Sequence, residues 1–157
     1  MAQSVHIDAR TLYGIQGKGP SSFNDVENSG ADFGQRLWLQ FIDELVRLEI
    51  NLDQDMYGVS WPADEITPPQ EIFYFCGIES LNPIAELESL ELEGGNYFEY
   101  KCEVPPSQLD SGFIEAYTQA LPASGLTSRE GQHLEIYGED YDPTSDVAKF
   151  TILIPVE

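Results

Sequence analysis

The chain has 157 residues, of which 41% are hydrophobic and 11% aromatic, so it can bury a core and fold as one domain. It carries 7 Lys and Arg residues against 28 Asp and Glu residues, which gives a formal net charge of −21 at pH 7. Binding to nucleic acid or to an anionic membrane surface depends on basic residues, so this composition disfavours both. Surplus carboxylate most often serves solubility, and it leaves neutral or cationic small molecules and basic proteins as possible partners.

The sequence contains no clear targeting signal and few cysteines and histidines. The first ten residues lack the apolar run of a signal peptide, and no segment approaches the roughly 20 apolar residues of a membrane span, so we expect a cytoplasmic protein. Cys76 and Cys102 each lie in an apolar run and are expected to be free, buried thiols. His6 and His133 are too few for most zinc sites, so we expect no metal and no cofactor.

The first half of the chain predicts a strand, a helix, and two further strands. The helix is indicated by apolar residues that recur every three or four positions after Asp32, a residue type that caps helices. The stripe that would face the core consists of Phe33, Leu37, Phe41, Leu45 and Leu48. We place the first strand at about 5–17, the helix at 33–48 and the next two strands at 56–61 and 72–78.

After an acidic connector at about 80–95, the same order of elements recurs. We place a strand at 97–104, a helix at about 109–120 and strands at 133–137 and 148–156. The helix is indicated by Leu109, Phe113, Tyr117 and Leu121, which are spaced four apart. Ser107 and Asp110 form an imperfect capping box at its start, and Pro122 and Gly125 are expected to end it.

The chain therefore predicts an α+β domain of two β-α-β-β repeats, the first at about 5–79 and the second at about 96–157. Such units give antiparallel sheets related by a pseudo-two-fold axis, with a helix on each repeat and a groove where the repeats meet.

The residue that suggests chemistry is Glu135, in the middle of the predicted strand HLEIY. Alternation places Leu134 and Ile136 on one face and His133, Glu135 and Tyr137 on the other. If both faces are covered, Glu135 is a buried acid, which is costly unless it is paired or functional. If its face is solvated, Glu135 is an ordinary surface carboxylate, and the pattern alone leaves both interpretations open. No standard catalytic motif is present.

Aromatic residues are abundant on the elements that could meet at a groove. They are Tyr57, Trp61, Tyr97, Tyr100, Phe113, Tyr117 and Tyr137. Most aromatic side chains belong to the core, but tyrosine also carries a polar tip that needs a partner. An acid surrounded by such rings suits a cationic or flat aromatic ligand, through charge pairing and cation–π attraction.

Three segments together resemble one family. The run HLEIYGEDYDP with the closing strand FTILIPVE closely resembles the C-terminal motif of the gyrase-inhibitor-like, AraC-type effector-binding domains, which are duplicated SHS2-type modules. LELEGGNYFEYKCE resembles the entry into the second repeat of that family, and MYGVSWPAD resembles the glycine-containing strand and turn of the first.

The resemblance implies the duplicated β-α-β-β fold and an aromatic-lined pocket between the repeats with an acid at its floor. In members that bind drugs and other lipophilic cations, the acid of the LEIY-like strand contacts the ligand, and that position is Glu135 here. Tyr137 would share its face, and Phe113 and Tyr117 match the helix that walls the pocket. Trp61 would lie at the rim of the first repeat.

The resemblance favours a stand-alone domain that binds lipophilic, cationic or aromatic compounds, because no residues remain for a helix-turn-helix. A first alternative is a hydrolase of strained electrophilic, cyclopropanoid-type compounds with Glu135 as general base. A second is an acidic inhibitor of a basic protein partner, such as a gyrase modulator, which only the charge of −21 supports.

We predict that the purified protein does not bind duplex DNA at physiological ionic strength, because long-range repulsion adds to the scarcity of basic residues. An electrophoretic gel shift should show free DNA only. A shift that weakens as salt is raised would contradict this prediction.

Overall fold

A computed structural model describes residues 2–20, 29–66, 70–105, 108–138, 141–142 and 144–157, although the side chains of residues 2, 29–32, 109 and 110 are not described. The strands are β1 (Ala2–Ile7), β2 (Arg10–Pro20), β3 (Met56–Pro62), β4 (Glu71–Glu79), β5 (Glu88–Leu92), β6 (Gly95–Val104), β7 (His133–Tyr137) and β8 (Ala148–Pro155). The helices are α1 (Ser29–Arg47), α2 (Leu109–Glu115) and α3 (Leu121–Ser124), and a π-helical turn (Ala116–Ala120) joins the last two.

The chain divides into two compact units. The central unit is Thr11–Glu91, and the terminal unit combines Met1–Arg10 with Leu92–Glu157. Among the described residues, no helix is long and apolar enough to cross a membrane.

In the central unit, the strand order is β3-β4-β2-β5, and β4 pairs antiparallel with both β2 and β3. Helix α1 buries Leu37, Phe41 and Leu45 against residues of β4, including Cys76 and Ile78. The predicted apolar stripe of α1 is therefore the one that faces the core. Trp38 widens it, and its indole N–H donates a hydrogen bond of 2.8 Å to the Tyr74 hydroxyl.

In the terminal unit, the strand order is β1-β6-β8-β7, and the described pairings are antiparallel. The helical segment buries Ala116 and Leu121 in one cluster that contains Phe98, Cys102, Phe150 and Ile152 from β6 and β8. Cys76 and Cys102 are both buried, as predicted.

The two units share one strand order, because β3-β4-β2-β5 corresponds to β7-β8-β6-β1. Each has a β-α-β-β core plus an outer strand, which follows the core in the central unit and precedes it, at the N-terminus, in the terminal unit. The predicted α+β class and antiparallel β-α-β-β repeats are confirmed.

Several boundaries differ from those expected. The segment predicted as one strand at 5–17 forms β1 and β2, separated by Asp8 and Ala9, and β5 lies inside the expected connector. Strand β5 follows the alternation of Leu90 and Leu92, and Leu92 is buried in spite of its acidic neighbours.

The helix boundaries differ as well. Helix α1 begins at Ser29 rather than at 33, so Asp32 lies inside the helix and the prediction that it caps the N-terminus is wrong. Ser107 and the side chain of Asp110 lie outside the description, and Gln108 precedes α2. The helical segment passes through Pro122 and ends at Ser124, because Gly125 adopts the left-handed conformation that caps helices.

Helix α1 ends in a Schellman motif that places a glutamate where glycine is usual. The N–H of Ile50 bonds to Leu45 O (2.9 Å) and the N–H of Glu49 bonds to Val46 O (3.1 Å). Glu49 has a φ of 57°, a left-handed conformation that its Cβ disfavours. Ile50 packs against the core cluster of α1, so the turn is held in place at the expense of this strain.

We predict that Glu49→Gly raises the free energy of unfolding by about 0.5–1 kcal/mol, because glycine adopts positive φ without a steric penalty. Glu49→Ala is the matched control, since it removes the same charge and keeps the Cβ. Urea denaturation of the three proteins measures the difference. Equal stabilisation by both variants would show that relief of charge repulsion, and not backbone strain, is the cause.

Candidate functional site

The pairing of β7 with β8 decides which way Glu135 points. Glu135 lies opposite Ile152, and directly paired residues of antiparallel strands project to the same face. That face carries Phe150 and Ile152, which pack in the cluster beneath the helical segment. The face is thus apolar and helix-covered rather than solvated, and Glu135 lies on it half-buried. Leu134 and its partner Leu153 are buried on the opposite face, as the alternation predicts.

Tyr137 joins this carboxylate to a group of packed aromatic rings. The Tyr137 hydroxyl donates a hydrogen bond of 3.1 Å to Glu135 Oε1. The Tyr137 ring stacks on Phe150, with centroids 5.3 Å apart, and meets Tyr141 edge-on at 4.8 Å. Phe113 of α2 packs on the same Phe150 ring at 5.6 Å. We call Phe113, Tyr137, Tyr141 and Phe150 the aromatic cluster, and Tyr137 is the member that links it to the acid.

A second polar pair lies at the start of β7. The Tyr117 hydroxyl and His133 Nδ1 are 2.5 Å apart, and the two rings stack with centroids at 5.6 Å. Burial, with a smaller effect of the Arg129 charge, lowers the pKa of His133 to about 4, so the imidazole is neutral at pH 7. Burial and the Glu135 charge raise the pKa of Tyr117, so its hydroxyl keeps its proton. The neutral ring can then accept at Nδ1, with Tyr117 as the donor.

The charge of Glu135 acts on two tyrosines. The pKa values of Tyr117 and Tyr141 are both raised, by burial first and by the Glu135 charge second. Both hydroxyls are therefore neutral at pH 7. A carboxylate beside neutral tyrosine and phenylalanine rings presents negative potential and ring faces, which is the combination that attracts organic cations. Among the described residues, no group of three or more His, Cys, Asp or Glu side chains could hold a metal ion.

Four of the five predicted site residues belong to the terminal unit, and the fifth does not. Glu135, Tyr137 and Phe113 are linked by contacts that run through the Phe150 ring. Tyr117 pairs with His133, and burial and the Glu135 charge raise its pKa. Trp61 lies on β3 of the central unit, where its indole stacks on Phe73 of β4 at 5.7 Å, and its place in a ligand site stays a prediction.

Sequence reasoning did not propose three residues that contact the predicted site residues Tyr117 and Tyr137: His133, Tyr141 and Phe150. His133 could have been found, because it shares a face with Glu135 by alternation. Tyr141 and Phe150 depend on the turn after β7 and on the β7–β8 register, and neither has a sequence signal of its own.

A family model for the GyrI-like small molecule binding domain matches residues 3–157. The chain belongs to this family. The predicted resemblance is thereby confirmed over nearly the whole length of the chain. No curated protein sequence matches it.

Solved structures of GyrI-like and similar proteins share the fold. SAV2435, solved bound to tetraphenylphosphonium, is 18% identical with a TM-score of 0.76 over 100% of this chain and 94% of that one. The C-terminal domain of EcmrR is 13% identical, with a TM-score of 0.64 over 100% and 97% of the two chains. A hydrolase from Listeria innocua is 14% identical, with a TM-score of 0.54 over 99% and 91%. At these identities the likeness is one of fold.

We predict that His133 makes stability depend on pH between about 6.5 and 4. Its pKa is lower in the folded state than the ordinary value of 6.5, so as pH falls the unfolded chain takes up the proton first. The free energy of unfolding should therefore fall through this window, by about 1–3 kcal/mol. Above pH 6.5 the contribution is fully present.

Urea denaturation of wild type and His133→Asn from pH 4.5 to 7.5 measures this effect. Carboxylates titrate in the same window, so the quantity that matters is the difference between the two proteins at each pH. Asparagine keeps a hydrogen-bonding group near Tyr117 but does not titrate. Parallel stability curves would rule out His133 as the source of the dependence.

Proposed function

We propose that this GyrI-like domain binds lipophilic, cationic or aromatic small molecules, with Glu135 as the polar anchor and Tyr137, Tyr117 and Phe113 as walls. Trp61 is retained as a further predicted contact. The observation that carries the proposal is a half-buried carboxylate on a helix-covered, aromatic face.

The energetics favour a cation over an anion or a polar neutral molecule. A carboxylate drawn partly out of water loses solvation, and a bound cation offsets that loss. The aromatic cluster adds dispersion contacts and cation–π attraction. The Tyr137 hydroxyl bonds to Glu135 and the Tyr117 hydroxyl bonds to His133. The two tyrosines can therefore contact a ligand through their apolar rings without requiring polar groups on it.

The wider charge distribution and the relatives point the same way. A net charge of −21 raises the local concentration of cations around the protein. SAV2435 was solved with tetraphenylphosphonium, a lipophilic cation of four aromatic rings. The family model is itself that of a small-molecule-binding domain, which supports sensing or sequestration of such compounds.

We predict that Glu135→Gln weakens binding of tetraphenylphosphonium by about 5- to 150-fold, which corresponds to the 1–3 kcal/mol usual for losing a charged partner. Glutamine keeps the shape of the side chain and an acceptor for Tyr137. Isothermal titration calorimetry on the wild type and the variant at low and physiological salt measures the loss.

The control variant is Glu130→Gln, because Glu130 is an exposed glutamate of the same unit and its replacement changes the net charge equally. It should leave affinity nearly unchanged. Triphenylphosphine oxide, a neutral aromatic compound, should bind wild type and Glu135→Gln alike. If both variants lose the same affinity, Glu135 acts only through its contribution to the net charge. If the wild type binds no aromatic cation, the proposal is wrong.

A further inference from the structure

The helical segment of the terminal unit changes its pitch where it carries Tyr117. Helix α2 ends at Glu115, and residues Ala116–Ala120 form a π-helical turn in which the N–H of Leu121 bonds to Ala116 O, five residues back. Such single wide turns inside α-helices are uncommon and are frequently found at functional sites.

Pro122 accounts for the wide turn. It has no backbone N–H to donate to the carbonyl of Thr118, four residues earlier, and its ring crowds that carbonyl in a regular α-helix. The Thr118 hydroxyl also bonds back to Ile114 O at 2.6 Å, a contact that tends to bend helices. The wide turn lies directly before Leu121 and Pro122, where a regular α-helix would lose the bond to the Thr118 carbonyl and crowd that carbonyl.

The wide turn keeps Tyr117 and Leu121 facing the sheet. In an α-helix each residue adds about 100°, so residues four apart drift by about 40° around the axis at each step. In a π-helical turn the N–H bonds to the carbonyl five residues back, so each turn contains more residues and residues four apart drift less around the axis. Ala116 and Leu121 are accordingly both buried, and Tyr117 between them meets His133 in a stacked, hydrogen-bonded pair.

We infer that Pro122 is a positioning residue for the ligand site, because the turn it widens holds the Tyr117 ring over His133, two residues from Glu135 along β7. The expected effect of Pro122 on ligand affinity rests on the proposed function. Pro122 makes no contact with the ligand in this scheme. It acts by fixing which way Tyr117 points, so that the Tyr117 hydroxyl is held by His133 and its ring forms a wall.

The test is Pro122→Ala, which restores a backbone N–H and lets the segment become a regular α-helix. Regularising the helix turns Tyr117 away from His133 and lets water reach the imidazole. In an NMR titration the pKa of His133 should rise from about 4 toward its ordinary value of 6.5. Tetraphenylphosphonium affinity should fall by on the order of tenfold.

Pro83→Ala is the matched control, because Pro83 is an exposed proline outside the helices, and neither readout should change. Pro122→Ser also restores the N–H and replaces the alanine variant if that variant does not fold. If the pKa of His133 in a folded Pro122 variant equals that of the wild type, the positioning role is wrong. If the pKa of His133 rises but the affinity for tetraphenylphosphonium is unchanged, Pro122 positions Tyr117 without affecting ligand binding. If wild type binds no tetraphenylphosphonium, the proposed function fails, whereas the titration still tests what Pro122 does to Tyr117.

Discussion

The register between β7 and β8 is the constraint on which the site depends. It pairs Glu135 with Ile152 and Leu134 with Leu153, and it therefore sends the acid to the helix-covered face and the leucine to the other. A slip by one residue would exchange the two faces, so the Glu135 carboxylate would enter the buried position that Leu134 holds. Burial of Leu134 and Leu153 thus holds the carboxylate on an apolar face where, by itself, it would not be stable.

Arg129 secures the strand that sets this register. Its guanidinium donates to Val156 O at 3.0 Å and lies over the Tyr97 ring at 5.2 Å, so it joins the end of the chain to β6. Gly95 and Gly131 flank it with φ angles of 142° and 156°, and a Cβ at either position would lie 2.7 Å from a guanidinium nitrogen. One of the few cations in a strongly acidic chain is thus used to fasten the closing strand.

The order of elements and the buried faces could be predicted from the sequence, because both depend on periodicity. The stripe of α1 and the alternation around Glu135 are local patterns that the packed structure preserves. The break between β1 and β2 and the pairing of β5 could not be predicted, since they depend on which distant strand is available as a partner.

The site could be predicted in part. Glu135, Tyr137, Tyr117 and Phe113 came from alternation, aromatic content and family resemblance, and all four lie in the terminal unit, while their role in a ligand site stays a prediction. The wide turn before Pro122 contradicts the simple rule that a proline ends a helix, and it appears only when the helix has a sheet against which to keep its face. The pairing of Tyr117 with His133 depends on that turn, so it could not be predicted from sequence spacing.

The placement of β1 has a consequence for how the chain folds during synthesis. Strand β1 pairs with β6, which begins about ninety residues later, whereas the central unit is built from one continuous stretch. Contacts distant in sequence form slowly, because a long loop must close before they contribute. The central unit can therefore assemble while translation continues, whereas β1 has no partner strand until β6 has left the ribosome. A fusion partner or tag attached before β1 would therefore act on the pairing of β1 with β6 rather than on the assembly of the central unit.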